Sequence, residues 1–279
     1  MTAATIAAIY VYPVKSMRGI ALERGRLTEK GLEHDRRWMV VRENGRFVTQ
    51  RDMPALARVQ TALDDAGVTL SAEGHDSIAI PFDSKGGESV LTHVWKDECA
   101  ALDEGPGVSR WISDALGSDE PLRLVRMAPA FRRTLGESDR FGAGTTTHFA
   151  DSAPYLVANE ASLEQINLEL QARGLDAVPM NRFRPNIVLR GPGPFAEHRL
   201  KDLAGDGWHI KLMDACERCL VTTVDQETGQ RDPERQPYMA MREIHPIAGP
   251  GTAPAFAQNA TLAAGNGLTI RVGDSLKAS

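Results

Sequence analysis

The side chains with the greatest potential for chemistry lie in the segment Cys216-Glu-Arg-Cys219. A CxxC pair is half of a structural zinc site, but the sequence has no second CxxC and no histidine pair at finger-like spacing. A redox pair requires the motif at a helix N-terminus, whereas residues 220–224 are β-forming. Zinc binding and redox exchange are therefore disfavoured. The remaining interpretations are two buried core cysteines, or a thiolate, favoured by the charge of Arg218, that ligates a soft metal such as copper, iron or molybdenum.

Two short segments place cations beside predicted strands. Lys15 and Ser16 directly follow a strand and can hold an anion such as phosphate; the alternative is a solvated loop. Arg36 precedes another strand, where its guanidinium either binds a phosphate with paired N–H groups or is a surface charge. Because adjacent side chains of a strand point to opposite faces, only one of Arg36 and Arg37 can easily face a given pocket.

Two loop segments add to this set. Asn181-Arg-Phe-Arg-Pro-Asn186 forms a stiff basic corner, because Pro185 disfavours helix at Arg184; the alternatives are an exposed turn or a structural salt bridge. The segment Asp151-Ser-Ala-Pro154 favours a turn and alone indicates little. Together, the lysine, the serine, two arginines and the thiolate describe a distributed anion pocket. That is the composition expected for a phosphorylated cofactor carrying a soft metal.

The elements that must position these residues are mostly strands. Residues 5–12 read as a strand that Pro13 ends, and residues 38–41 and 46–49 flank Asn44-Gly45, a strong hairpin signal. Further strands are predicted at residues 68–71, 77–80, 121–126, 186–190, 208–213, 219–224 and 268–272. The four tryptophans, at 38, 95, 111 and 208, are predicted to lie in the core.

Two helices are predicted. In residues 107–116 the apolar side chains share one face, and Gly117 is a C-terminal cap. In residues 160–173, Ser162 and Gln165 resemble a capping box. Many short strands with few helices favour a barrel of mainly β structure with some α, and no nucleotide-binding glycine motif is present. A soft domain boundary lies near residues 117–121, and the irregular region 128–150 is typical of functional or mobile segments.

Composition excludes several classes of protein. The 279 residues carry 32 Lys+Arg and 37 Asp+Glu, a net charge of −5, which argues against non-specific nucleic-acid binding. No apolar run is long enough to span a membrane, and the first residues lack the features of a signal peptide. With only 3 cysteines, no disulfide scaffold is expected. These features predict a cytoplasmic protein without membrane or nucleic-acid partners.

The combination of motifs resembles the MOSC family, named for the C-terminal domain of molybdenum cofactor sulfurase. The resemblance is closest to the branch that contains the mitochondrial amidoxime-reducing component and the bacterial YcbX-like reductases. It covers residue 5 to about residue 276 and rests on the segments Val11-Tyr-Pro-Val-Lys-Ser16, Gly31-Leu-Glu-His-Asp-Arg-Arg-Trp38, Val48-Thr-Gln-Arg51, Phe183-Arg-Pro-Asn-Ile-Val188, Cys216-Glu-Arg-Cys-Leu-Val-Thr-Thr-Val-Asp225 and Arg271-Val-Gly-Asp274. The combination is specific, although each segment alone is weak.

The resemblance implies an N-terminal β-barrel domain, residues 1–120, followed by a MOSC β-barrel domain, residues 121–279, with molybdopterin held between them. It implies that Cys219 ligates molybdenum, that Cys216 is close by or merely structural, and that Asp151 is catalytic. By the same resemblance, the residues that contact the cofactor are Lys15, Ser16, Arg36, Ser152, Arg184, Asn186 and Arg218.

The activity implied is a molybdenum-cofactor-dependent oxidoreductase that reduces small N-oxygenated substrates, in which Asp151 relays a proton to the departing oxygen. Because the chain ends soon after Asp274, without a ferredoxin-like extension, the resemblance implies a separate electron-donor protein of the ferredoxin or flavin reductase type. The alternative is a carrier that delivers the molybdenum cofactor or sulfur to another enzyme.

Overall fold

The computed structural model describes residues 2–84, 87–136, 138–245 and 252–279. In the first half of the chain the strands are β1 (Thr2–Val11), β2 (Ile20–Leu22), β3 (Arg24–Thr28), β4 (Gly31–Leu32), β5 (Trp38–Arg42), β6 (Gln60–Leu63), β7 (Gly67–Ser71), β8 (Ile78–Pro81), β9 (Ser89–Val94), β10 (Asp97–Asp103), β11 (Leu122–Met127) and β12 (Arg133–Thr134). In the second half they are β13 (Thr146–Thr147), β14 (Tyr155–Asn159), β15 (Ile187–Arg190), β16 (Asp202–Ala204), β17 (His209–Glu217), β18 (Ala255–Ala264), β19 (Thr269–Arg271) and β20 (Ser275–Ala278).

The α-helices of the described residues are α1 (Pro106–Leu116), α2 (Ser138–Phe141), α3 (Glu160–Ala172) and α4 (Tyr238–Ile244). None of these helices is long and apolar enough to cross a membrane. Strands dominate the described part of the chain, so the prediction of a mainly β fold with some α structure is confirmed.

Seven strands close a barrel in the order β15-β14-β18-β17-β16-β20-β1, because β1 pairs with both β20 and β15. The strand β1 is needed for closure, since Thr2 lies opposite Ala278 and Ile9 opposite Ile187. Inside the barrel, Ile6 and Leu189 belong to one buried apolar cluster. The first residues of the chain therefore complete a barrel that is otherwise built from its C-terminal half, and the domain boundary at residue 120 stays a prediction.

A half-barrel is built from the sheet β5-β11-β10-β9 and the sheet β6-β7-β8, which share a core with α1. Trp38, Leu70 and Leu124 are fully buried in this core. The predicted helix is confirmed, because α1 buries Ile112 and ends where Gly117 adopts the left-handed conformation at φ 58°.

The predicted strand at residues 219–224 is wrong, because Leu220–Thr223 form a 3-10 helix. The hydroxyl of Thr222 donates to the carbonyl of Cys219 at 3.0 Å, and that of Thr223 donates to the carbonyl of Leu220 at 2.7 Å. Threonine hydroxyls that satisfy nearby carbonyls compete with strand pairing and stabilise a tight turn. Cys219 is consequently the residue at which β17 has ended and this turn begins.

The predicted capping box of α3 is also wrong. The helix begins at Glu160, and the side chain of Asn159 accepts from the backbone N–H of Ala161 at 3.3 Å. Ser162 lies inside the helix, where its hydroxyl donates to the buried carboxylate of Glu197 at 2.8 Å. The predicted return strand of the hairpin at residues 46–49 is reduced to isolated bridges, one of which joins Val41 and Phe47.

Candidate functional site

The predicted site residues meet at a cavity of about 450 Å³ between the barrel and the half-barrel. Its walls come from the loops after β1, before β5, before β14 and before β15, and from the end of β17. Every residue that the sequence analysis assigned to the site lines this cavity: Lys15, Ser16, Arg36, Asp151, Ser152, Arg184, Asn186, Arg218 and Cys219. The structure thus brings all of these residues together, while the role of each stays a prediction.

Two arginines enclose the ring of Tyr12 on one wall. The guanidinium of Arg36 lies 4.4 Å from the ring centroid, and that of Arg184 lies 4.3 Å from it. Both arginines have a positive φ, 46° and 55°, which turns the backbone at each of them. Cation–π contacts with a buried ring fix two like charges close together. Burial lowers the pKa of Arg184 to about 10, and Arg36 adds to this shift.

A buried polar network lies behind these arginines. The carboxylate of Asp35 accepts from Arg36 Nη1 at 2.5 Å, from the backbone N–H of Tyr12 at 2.9 Å and from Asn186 Nδ2 at 3.1 Å. The side-chain oxygen Oδ1 of Asn186 accepts from Arg36 Nη1 and from the backbone N–H of Leu156, both at 3.1 Å. Asn186 and Asp35 therefore orient Arg36 from behind, which predefines the shape of this wall.

Lys15 and Asp151 form the polar pair of the opposite wall. Lys15 is 4% exposed, and its ammonium donates to Asp151 Oδ1 and to the carbonyl of Phe149, both at 2.7 Å. Burial lowers the pKa of Lys15, against the effect of Asp151. Desolvation raises the pKa of Asp151, but the charge and hydrogen bond of Lys15 outweigh it and hold the pKa at about 2. The indole N–H of Trp95 also donates to Asp151 Oδ1, at 3.0 Å.

The two cysteines of the CxxC segment have different surroundings. Arg218 Nη1 donates to Cys216 Sγ at 3.0 Å, and burial raises the pKa of this thiol. Cys219 is partly exposed on the cavity wall, where Arg51 Nη1 lies 3.7 Å from its Sγ atom. Within the described residues there is no cluster of three or more His, Cys, Asp or Glu side chains that could hold a metal ion.

The cavity suits a large anionic ligand. Arg184 Nη2 and Arg218 Nε are buried without any hydrogen-bond partner in the described structure. Buried donors of this kind are costly unless a ligand satisfies them. The volume of about 450 Å³ falls within the roughly 300–1,000 Å³ typical of cofactor and ligand sites. A thiol, several cations and two unsatisfied guanidinium donors fit a phosphorylated cofactor that presents a soft metal.

Comparison with known protein families identifies the family of this chain. The MOSC N-terminal beta barrel domain matches residues 3–119, and the MOSC domain matches residues 144–277. The chain belongs to the MOSC family. This confirms the resemblance drawn from the sequence motifs and the prediction of an N-terminal MOSC barrel domain followed by a MOSC domain.

The relatives of this MOSC chain include two groups of proteins. Mitochondrial amidoxime-reducing component 1 of Mus musculus is 32% identical over 97% of this chain and 81% of its own length, and the Homo sapiens protein gives the same values. Molybdenum cofactor sulfurase of Danio rerio is 31% identical over 82% of this chain, but over only 29% of its own length. Both groups relate this MOSC chain to molybdenum-cofactor biochemistry.

Two residues of this MOSC site were missed by the sequence analysis. Arg51 lies in a matching motif, but its position gave no indication of contact with Cys219. Trp95 was predicted to be a core residue, and this is wrong because its side chain is 53% exposed at the cavity. Trp95 lies in the β9–β10 turn at φ 56°, a conformation that bulky residues seldom adopt, but nothing in the sequence reveals this angle.

Proposed function

We propose that this MOSC chain is a molybdenum-cofactor-dependent oxidoreductase that reduces small N-oxygenated compounds. The observation that carries the proposal is the thiol of Cys219 on the wall of a cavity in which two buried guanidinium donors, Arg184 Nη2 and Arg218 Nε, lack partners. Relatives named amidoxime-reducing component, at 32% identity over nearly the whole chain, support this reaction class.

In this proposal different residues of the cavity walls bind different parts of the cofactor. Lys15, Ser16 and Arg36 would hold its phosphate or pterin, Arg184 and Asn186 its pterin side, and Cys219 would provide a soft anionic ligand to molybdenum. The bound cofactor supplies the two-electron redox chemistry that the protein side chains lack.

The protein itself must deliver protons. Reduction of an N–OH group to N–H with release of water consumes two electrons and two protons. Lys15 Nζ lies 2.7 Å from Asp151 Oδ1, and the Asp151 side chain is 57% exposed at the cavity mouth. In the proposed mechanism Asp151, ionised at rest, relays protons from solvent toward the substrate, while Lys15 and Trp95, which donate to the same carboxylate oxygen at 2.7 Å and 3.0 Å, hold it in position.

Electrons must arrive from outside the chain in this proposal. The described residues contain no cluster of cysteines that could bind an iron–sulfur centre. We therefore propose a separate electron-donor protein of the ferredoxin or flavin reductase type. We further propose that the protein acts in the cytoplasm.

The proposal is tested with two cysteine variants made in a host that synthesises molybdopterin. We expect about one molybdenum per chain in the wild-type protein and in Cys216→Ala, and none in Cys219→Ala, by plasma mass spectrometry. Reduction of an amidoxime with a chemically reduced viologen as donor should follow the molybdenum content. Full activity of Cys219→Ala would contradict the proposal. Transfer of the cofactor to an apo-enzyme on mixing, without turnover, would instead identify a carrier.

A further inference from the structure

A second cavity, of about 240 Å³, lies near the first and is lined by Lys30, His34, Arg37 and His148 among others. One short segment of the chain lines both cavities: Arg36 lines the first, and His34 and Arg37 line the second. This agrees with the expectation that Arg36 and Arg37 do not share a pocket. None of the four side chains has a part in the function proposed above.

The positive charges of this second cavity lack carboxylate partners. Among the residues that the structure describes, neither Lys30 nor Arg37 forms an ion pair. The carboxylates around them are already bound to other arginines, in the pairs Arg26–Glu33 at 2.9 Å, Arg132–Glu29 at 3.4 Å and Arg126–Glu104 at 3.1 Å. Glu33 also lines the cavity, but its carboxylate is paired with Arg26, so Lys30 and Arg37 share the cavity without an ion-pair partner of their own.

The packing around the cavity holds these cations in place. The Arg37 guanidinium lies over the rings of Trp38 and Phe82, with centroids at 5.1 Å and 5.5 Å, and Nη2 donates to the carbonyl of Phe82 at 3.2 Å. The ring of His34 stacks on Phe82 at 4.1 Å. Lys30 makes a single long hydrogen bond, at 3.5 Å, and keeps further N–H donors free for a ligand.

The electrostatics agree with this geometry. Burial lowers the pKa of Lys30, and the charges of Arg132 and Arg37 lower it further. Burial also lowers the pKa of His148 to about 4, with the charge of Lys30 as the next cause. Burial is the largest cause of both shifts; the neighbouring cations add to them, and for Lys30 the carboxylate of Glu29 opposes the shift.

We propose that this second cavity is a binding site for a small oxyanion of the phosphate type, which the guanidinium of Arg37 and the ammonium of Lys30 bind. Its volume of about 240 Å³ is below the roughly 300–1,000 Å³ of sites for larger ligands, which favours an ion or a small phosphate monoester. Guanidinium groups bind phosphate with paired hydrogen bonds, and ammonium groups add charge. The proposal is independent of the molybdenum chemistry.

The test is a titration of the purified protein with inorganic phosphate, followed by NMR of the imidazole groups. We expect saturable shifts of the His34 and His148 resonances, and binding that weakens about tenfold in Lys30→Gln because one charge-assisted hydrogen bond is lost. Lys30→Arg should restore binding. Lys211→Gln, an equal loss of charge at an exposed position of β17, should leave the titration unchanged.

Two results would overturn the proposal: absence of saturable shifts at both histidines, or equal affinities of wild type and Lys30→Gln. Free phosphate and a monoester share the same chemistry, so the titration is repeated with methyl phosphate. Tighter binding of methyl phosphate identifies a monoester ligand and weaker binding identifies the free ion; either supports the site. Thermal unfolding checks that Lys30→Gln remains folded.

Discussion

At the scale of single residues, Arg51 joins the two sides of the cavity. Its guanidinium lies 4.6 Å from the ring centroid of Trp95, and its Nη1 atom lies 3.7 Å from Cys219 Sγ. A cation beside a sulfur atom attracts the negative charge of a sulfur that reacts or ligates a metal. Arg51 therefore connects the exposed indole at the mouth to the proposed metal ligand.

We expect Arg51→Met to slow alkylation of Cys219 by iodoacetamide severalfold at neutral pH, because the sulfur loses the guanidinium that lies 3.7 Å away and attracts negative charge during the reaction. The rate is measured on cofactor-free protein in a Cys216→Ala background, where Cys99 is buried. Arg24→Met, at an exposed position of β3, is the matched control and should alkylate at the wild-type rate. Equal rates in both variants would show that Arg51 does not influence the thiol.

Asp151 predicts a pH dependence of stability. Its pKa is held at about 2, below the ordinary value of about 3.9, chiefly by Lys15 acting against desolvation. A carboxyl group whose pKa is lowered in the folded protein contributes stability above its ordinary pKa. This stability is lost as the pH falls from the ordinary pKa through the pKa of the folded state. Between about pH 4 and pH 2, cofactor-free wild type should thus lose more stability than Asp151→Asn.

The measurement is the urea unfolding midpoint at several pH values in that interval. Asp139→Asn changes an exposed carboxyl group of α2 and should retain the wild-type pH dependence. Parallel curves for wild type and Asp151→Asn would show that the Lys15–Asp151 pair contributes nothing to stability.

Residue types and motifs were enough to predict which cations and which thiols line the cavity, because each lies in a short segment of recognisable composition. They were not enough for Arg51 and Trp95, whose contacts join residues 51 and 95 to residues 219 and 151. Such pairings depend on how the half-barrel faces the barrel, and no local pattern encodes that.

At the scale of elements, the start of α3 shows how tertiary contacts override a local signal. Ser162 and Gln165 have the spacing of a capping box, but the buried carboxylate of Glu197 accepts from both Ser162 and Asn159. Asn159 also donates to the carbonyl of Gly193 at 2.8 Å. The cap therefore belongs to Asn159, which ties the helix to the loop after β15.

We expect Asn159→Ala to destabilise the protein by roughly 1–3 kcal/mol, because it removes a helix cap and a hydrogen bond to a buried carboxylate. Gln165→Ala, an exposed change in the same helix, should alter stability by less than about 0.5 kcal/mol. Chemical unfolding midpoints give both values. A larger loss for Gln165→Ala than for Asn159→Ala would restore the capping box as the correct interpretation.

At the scale of the whole molecule, closure of the barrel joins distant parts of the chain. The strand β1 pairs with β20 and β15, and the side chains of Gln50 and Gln226 exchange two hydrogen bonds of 3.0 Å between the half-barrel side and the 3-10 helix side of the cavity. Hydrophobic patterning predicted the strands, but not which strand would close the barrel, because strand pairing is not a local property.

We expect a fragment of residues 121–279 to remain unfolded, because without β1 the strands β15 and β20 expose unpaired edges and an open core. Joining residues 1–32 after residue 279 through a flexible linker should restore folding, since Thr2 and Ala278 are partners in the sheet. Circular dichroism and dispersion of amide resonances measure folding. A cooperatively folded fragment of residues 121–279 alone would contradict this and support the boundary at residue 120.

The pairing of β1 with β20 also determines when the barrel can close during synthesis of the chain. The ribosome releases β1 long before β20, so the barrel stays open until β20 has emerged. At roughly 5–20 residues per second, the first strand waits on the order of 10–50 s for its final neighbour. During that interval its apolar side chains are available to chaperones, and the cleft between the two bodies is incomplete. Insertion of any prosthetic group into this cleft must therefore follow the synthesis of β20.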